Sequence, residues 1–174
     1  MKLKTTCAII LLASSHFSLC AEVKWQPQGC PIAISFPSKP NEKQVDAGGD
    51  SVAAAYIHLN ANSSIKASFN DTDVSSIPKS GQYEAMQKLA DYSVQSMGLT
   101  EPQFEKQAVP LGNRLTVRAI KNMAVNGETK KVQFLIDFYF LSRGVLYITV
   151  VNNLDTPSFE AMKFRNDVAN LKEK

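Results

Sequence analysis

Nucleophilic catalysis by serine needs a nucleophile, a base and an orienting acid, usually with the serine on a sharp G-x-S-x-G turn. The chain has no such turn, and beyond residue 21 its one histidine is His58, set in an alternating run that reads as a strand. Ser63-Ser-Ile-Lys66 and Ser76-Ile-Pro-Lys79 both fit S-x-x-K. Neither has the S-D-N or K-T-G companions that give the pattern meaning. Asp71-Thr72-Asp73 opens like a calcium loop, but Ser76 stands where glycine is needed and Gln82 where a glutamate closes the loop. The residue types therefore single out no catalytic residue, no cofactor-binding residue and no metal ligand, and they imply no cofactor.

Several other groups carry chemistry in principle. Asp137 is the one carboxylate in Val132–Leu141, an otherwise apolar run. Arg114 and Arg118 fall on one face of the strand expected to pair with that run, so a cross-strand arginine–aspartate pair is the structural expectation for Asp137. Cys30 is the only cysteine beyond residue 21, which excludes an internal disulfide in a chain cleaved there. A buried thiol is the expected state. Met86, Met97 and Met162 sit at helical spacing with apolar neighbours, which reads as core. Asn62-Ser-Ser64 and Asn70-Asp-Thr72 fit the glycosylation pattern, which has meaning only in a eukaryotic secretory pathway. Lys130-Lys131 is too short for a nucleic-acid patch.

Alternating residues and turn signals place the elements that must position these groups. Ile32–Phe36 reads as a strand stopped by Pro37 and Pro40, and Gly48-Gly49-Asp50 introduces Val52–Leu59. Asn60-Ala-Asn62 turns into Ser63–Phe69, completing a first antiparallel meander. Asp71–Ser80 is the longest polar loop and the best candidate for an interaction loop. In Gln82–Met97, Tyr83, Met86, Ala90, Val94 and Met97 share one helical face, and Gly98 stops the helix.

Phe104–Val109, Arg114–Val125, Val132–Leu141 and Val145–Val151 form a second strand set, with Asn126-Gly127 as a hairpin turn and Ser142-Arg143-Gly144 as another. The Val132–Leu141 strand is apolar on both faces, so both should be covered. A closing helix over Ser158–Leu171 puts Ala161, Phe164, Val168 and Leu171 on one stripe behind a Thr156-Pro157-Ser158 start. The expected fold is α+β, an antiparallel sheet of about six strands flanked by helices on both faces.

The N-terminus reads as an export signal. Lys2 and Lys4 precede the apolar Cys7–Ala13 run, and Ser18-Leu-Cys-Ala21 offers a cleavage site after Ala21 or Cys20. Seven apolar residues are far fewer than the roughly 18–20 a spanning helix needs. The expected organisation is a signal peptide at 1–21, a polar lead-in at 22–31 that docks through Trp25, and a single domain at 32–174. Phe17-Ser18-Leu19 fits poorly before a lipidated cysteine, so a periplasmic or extracellular soluble chain is expected ahead of one lipid-anchored through Cys20. Cleavage lowers the formal charge from +3 to +1. A near-neutral surface argues against nucleic acid as the main partner.

Ile34-Ser-Phe-Pro-Ser-Lys-Pro40, the mid-chain helix, the Leu111-Gly112 turn, the central hairpin, Arg143-Gly-Val-Leu-Tyr-Ile-Thr-Val150 and the Ser158-Phe159 helix start together resemble the PsbP-like superfamily. That superfamily takes in the photosystem II extrinsic proteins, Mog-type Ran binders and secreted bacterial proteins, some with a DcrB-type envelope domain. The resemblance spans about Ile32 to Leu171 and implies an α/β/α sandwich. It transfers no functional residue, because its members share a fold and no common chemistry. The expected function is an exported, non-enzymatic module that binds another envelope or secreted protein. The alternative is a small-molecule carrier or weak enzyme with a pocket between sheet and helix.

Overall fold

A computed structural model describes residues 22–47, 50–61, 63–125, 128–154 and 157–173. Residues 1–21, expected from the sequence to be an export signal, lie outside the described residues, as do Gly48-Gly49, Asn62 and Asn126-Gly127. Chain order is β1 (Val23–Trp25), β2 (Ile34–Phe36), β3 (Asn41–Ala47), β4 (Asp50–Asn60), β5 (Ser63–Asp71), α1 (Gln82–Met97), β6 (Thr100–Val109), β7 (Gly112–Val125), β8 (Glu128–Phe140), β9 (Val145–Asn153) and α2 (Phe159–Ala169). β1 and β2 form a small antiparallel sheet of their own. The other seven strands form one antiparallel sheet in the order β3-β4-β5-β9-β8-β7-β6.

This corrects the expected fold class. Among the described residues, strand makes up 53% and helix 21%, with seven strands rather than about six in the main sheet and only two α-helices, so there is no α/β/α sandwich. The two strand sets join into one sheet through β5 and β9, which pair from Ser64↔Val151 to Asn70↔Val145. Ile32–Phe36 is not part of the first meander. Its β2 segment pairs with the lead-in, Trp25 opposite Ile34. The first meander instead begins with β3, a polar strand paired with β4 from Asn41↔Tyr56 to Ala47↔Asp50.

The period-two pattern of β8 sorts the core. Val132, Phe134, Ile136, Phe138 and Phe140 join one cluster with Met86 and Ala90 of α1 and with Leu115 and Val117 of β7. Leu135 and Tyr139 point the other way, into a cluster with Trp25, Ile34, Phe36, Ala161, Phe164 and Val168. Both faces of β8 are therefore dry, as its two-sided apolar sequence demands. Each large side chain so buried contributes about 1.5–3 kcal/mol relative to exposure.

α1 packs on β6, β7 and β8, whereas α2 packs on β2, β5 and β9. One helix on part of each face makes no helical layer. The α1 side of β4 and β5 stays open, leaving His58 and Lys66 exposed and Tyr56 half-buried.

Local signals set the ends of both helices. Gly98 adopts φ 61 and its N–H bonds back to the carbonyls of Val94 and Gln95. Ser158 caps α2, accepting from the Ala161 N–H at 3.3 Å. The β8–β9 turn needs Gly144 at φ +93, because a Cβ there would stand 2.3 Å from the Asn70 carbonyl oxygen and 2.7 Å from Phe69.

Candidate functional site

The most concentrated charge in the interior is centred on Asp137, which is fully buried. β8 carries it onto the α2 side, beside its cross-strand neighbour Thr116 on β7. From α2, Arg165 closes over the pair. Its Nε donates to Asp137 Oδ2 at 2.6 Å and its Nη2 to Oδ1 at 2.8 Å. The Thr116 hydroxyl donates to Oδ1 at 2.6 Å and accepts from Arg165 Nη2 at 3.0 Å. Burial alone would lower the Arg165 pKa, but the Asp137 hydrogen bond and charge outweigh it and the net shift is upward. Held by Arg165 and Thr116 and closed to solvent, the carboxylate ties α2 to the sheet.

The expected pairing of Asp137 with Arg114 or Arg118 is corrected here. Register sets Arg114 opposite Tyr139 and Arg118 opposite Leu135, with Thr116 directly opposite Asp137. The Arg114 guanidinium donates to Gln107 of β6 instead. Arg118 is exposed. Arg165 escaped sequence reasoning because its partner is distant in the chain. Its one visible signal was a lone cation adjoining the apolar Ala161–Phe164–Val168 stripe.

Beside this cluster, the buried Arg114 Nε and Tyr139 hydroxyl meet no hydrogen-bond partner of acceptable geometry. Burial, and then the Asp137 charge, push the Tyr139 phenol well above its ordinary range, although Arg114 is near enough to oppose the rise.

A concavity of about 740 Å³ lies between the β1 end of the lead-in and the β3–β4 hairpin. Lys24, Gln26, Gln28, Glu42, Gln44 and Asp71 supply most of its polar wall. Trp25 and Phe69 border it but are only 5% and 1% exposed, so they offer no aromatic platform. Its Asp71 wall is fixed by Arg143, whose Nε and Nη2 reach the two carboxylate oxygens at 2.9 and 3.0 Å. Gly29 presses against the same carboxylate, with φ +80 and a Cβ position 2.5 Å from Oδ2. A second groove, about 390 Å³, runs where α2 meets β2 and β4. Pro37, Ile57 and Phe164 floor it, and Glu22, Glu160 and Lys163 rim it.

The remaining sequence candidates are kept apart. Ser63 points to the α2 side and donates to Asn152 Oδ1 at 2.8 Å, while Lys66 lies on the opposite pleat, so the first S-x-x-K holds no dyad. Asp71 is spent on Arg143, and Asp73 accepts the Ser75 N–H at 2.9 Å; the Ser75 side chain first, and then this backbone bond, lower the Asp73 pKa. Among the described residues no group of three or more acidic, histidine or cysteine side chains is placed to hold a metal. His58 stands on β4, edge-on to the Tyr56 ring at 6.0 Å. Cys30 is buried, and desolvation, ahead of all other causes, raises its thiol pKa. Met86 is wholly core, with Met97 and Met162 packed partly against the two clusters. No helix of the described residues is long and apolar enough to cross a membrane.

No family model matches the chain, and neither does any curated protein or solved structure. The likeness to the PsbP-like superfamily therefore rests on the sequence motifs alone.

Proposed function

We propose that the protein is an exported, non-enzymatic module that binds another protein of the same compartment. One observation carries this reading: the 740 Å³ concavity is open and lined by amides and charges of both signs. The buried charges that resemble catalytic machinery are closed on one another. Such a surface suits reversible recognition of a polar segment, in which hydrogen bonds fix orientation. Export supplies the compartment, and the N-terminal signal reads as removed on the way.

Cross-linking in the native envelope, followed by mass spectrometry, tests the reading. One partner at stoichiometric yield is expected, and background proteins alone at low salt refute it. The intact mass of the recovered protein reports cleavage after Cys20 or Ala21. Acyl chains on Cys20 would instead move the partner search to the membrane surface.

A second reading, a small-molecule carrier, draws on the 390 Å³ groove between α2 and the sheet, whose floor is apolar. Widening that floor with Ile57→Ala should then change the uptake of an apolar dye without changing partner capture.

A further inference from the structure

We infer that β3 takes up an extended segment of another polypeptide, acidic at the positions facing Lys43, as an added strand of the main sheet; this deepens the protein-binding reading and rests on it. The sheet ends at β3 on one side and β6 on the other. β6 is blunted. Pro102 lies within it, its pairing shifts between Thr100 and Gln103, and Glu101 sits at φ 54. β3 has none of these devices. It contains no proline and pairs with β4 without a shift along all seven residues. Its outer row of backbone donors and acceptors faces away from the sheet, and Asn41, Glu42, Lys43 and Gln44 are exposed. An uninterrupted edge of this kind accepts an extended peptide, with main-chain bonds supplying affinity and alternate side chains supplying specificity.

The two pleats beside β3 differ in a way that suits this occupant. Glu42 and Gln44 face the 740 Å³ concavity, which has room for every second side chain of an added strand. Lys43 also borders the concavity, but register sets it on the pleat of Ala54 and Tyr56, the part of the sheet that α1 leaves open. Its Nζ lies 5.8 Å from the centre of the Tyr56 ring, His58 adjoins that ring, and Lys66 is the cross-strand partner of Tyr56. No acidic residue stands on this pleat among the β3, β4 and β5 residues whose side chains are described, and neither lysine makes an ion pair with them. A strand added to β3 brings its own alternate residues over this cationic strip, where carboxylates find unpaired ammonium groups.

The test selects from a displayed library of random peptides, each about ten residues long, the length of a long strand, against the full protein as recovered from its host. Enrichment of Asp or Glu at alternating positions, with slowed amide exchange confined to residues 41–47 on peptide binding, is the expected result. Lys43→Glu should weaken the selected peptides by about tenfold and shift the selection toward lysine and arginine. Enriched peptides without alternation, exchange protection elsewhere, or indifference to Lys43→Glu overturn the inference. So does self-association through residues 41–47 in the absence of peptide. If envelope cross-linking still captures a partner in those cases, the broader protein-binding reading survives without the strand addition. If cross-linking also fails, both fall.

Discussion

Replacing Arg165 by methionine keeps most of the side-chain volume on α2 but removes every charge that compensates Asp137. The carboxylate is fully buried and the arginine side chain only 11% exposed, so solvent cannot take over the lost contacts. Removing one member of a buried ion pair costs about 3–5 kcal/mol, because the remaining charge stays desolvated. With a urea slope of about 2 kcal/mol per molar for a chain of this size, the unfolding midpoint should drop by about 1.5–2.5 M. Replacing the whole cluster, Asp137→Leu with Arg165→Met and Thr116→Val, removes the buried charges together with the hydroxyl they satisfied. That triple variant should fall within about 1–2 kcal/mol of the parent. Urea unfolding of the single and triple variants, followed by tryptophan fluorescence of Trp25, measures both. A single Arg165→Met variant that loses less than about 1 kcal/mol would show that the pair is not sealed. A triple variant costing as much as the summed singles would show that the cluster is not a closed unit.

Three further outcomes follow from particular residues. Tyr139 has a raised pKa, so above the ordinary tyrosine value of about 10 the folded state holds a proton that the unfolded state releases. Stability should accordingly fall with rising pH, by up to about 1.4 kcal/mol per pH unit, and Tyr139→Phe should abolish that slope. Because the hydroxyl has no partner, the same variant should lie within about 1 kcal/mol of the parent at pH 7 in thermal or urea unfolding. Gly144→Ala combines left-handed strain with collision against Asn70 and Phe69 and should cost about 3 kcal/mol or more. Gly98→Ala meets open space and should cost only about 1–2 kcal/mol, the strain alone; equal losses would refute the collision. The Cys30 thiol, buried and held protonated, should react with a thiol reagent at least about tenfold more slowly than a free thiol until urea unfolds the chain, and fast native labelling would contradict its placement.

Features decided within a few residues were legible in the sequence. α1 spans Gln82–Met97 as its apolar spacing predicts, with Gly98 as its left-handed stop. α2 begins behind Ser158 and buries Ala161, Phe164 and Val168 as its stripe predicts. β7 and β8 pair up to Val125↔Glu128, flanking the predicted Asn126-Gly127 turn. Periodicity, caps and turn preferences are local, so neighbouring side chains state them directly.

Choices among distant partners were left to the tertiary structure. Strand β3 opens with four successive polar residues, Asn41-Glu-Lys-Gln44, because it borders the sheet, and edge strands lack the apolar alternation that marks buried ones. The lead-in became a strand only because β2 and Phe164 offered Trp25 and Phe36 a place to pack. The sequence offered Asp137 two arginines, Arg114 and Arg118, and did not single out Arg165. The chain's own spacing favoured the two on the neighbouring strand, yet register turned those toward Tyr139 and Leu135, and the packing of α2 brought Arg165 within 2.6 Å. A strand pattern tells which residues share a face; which other element covers that face is set by how all the apolar surfaces are buried together, and that sum is not written in any one segment.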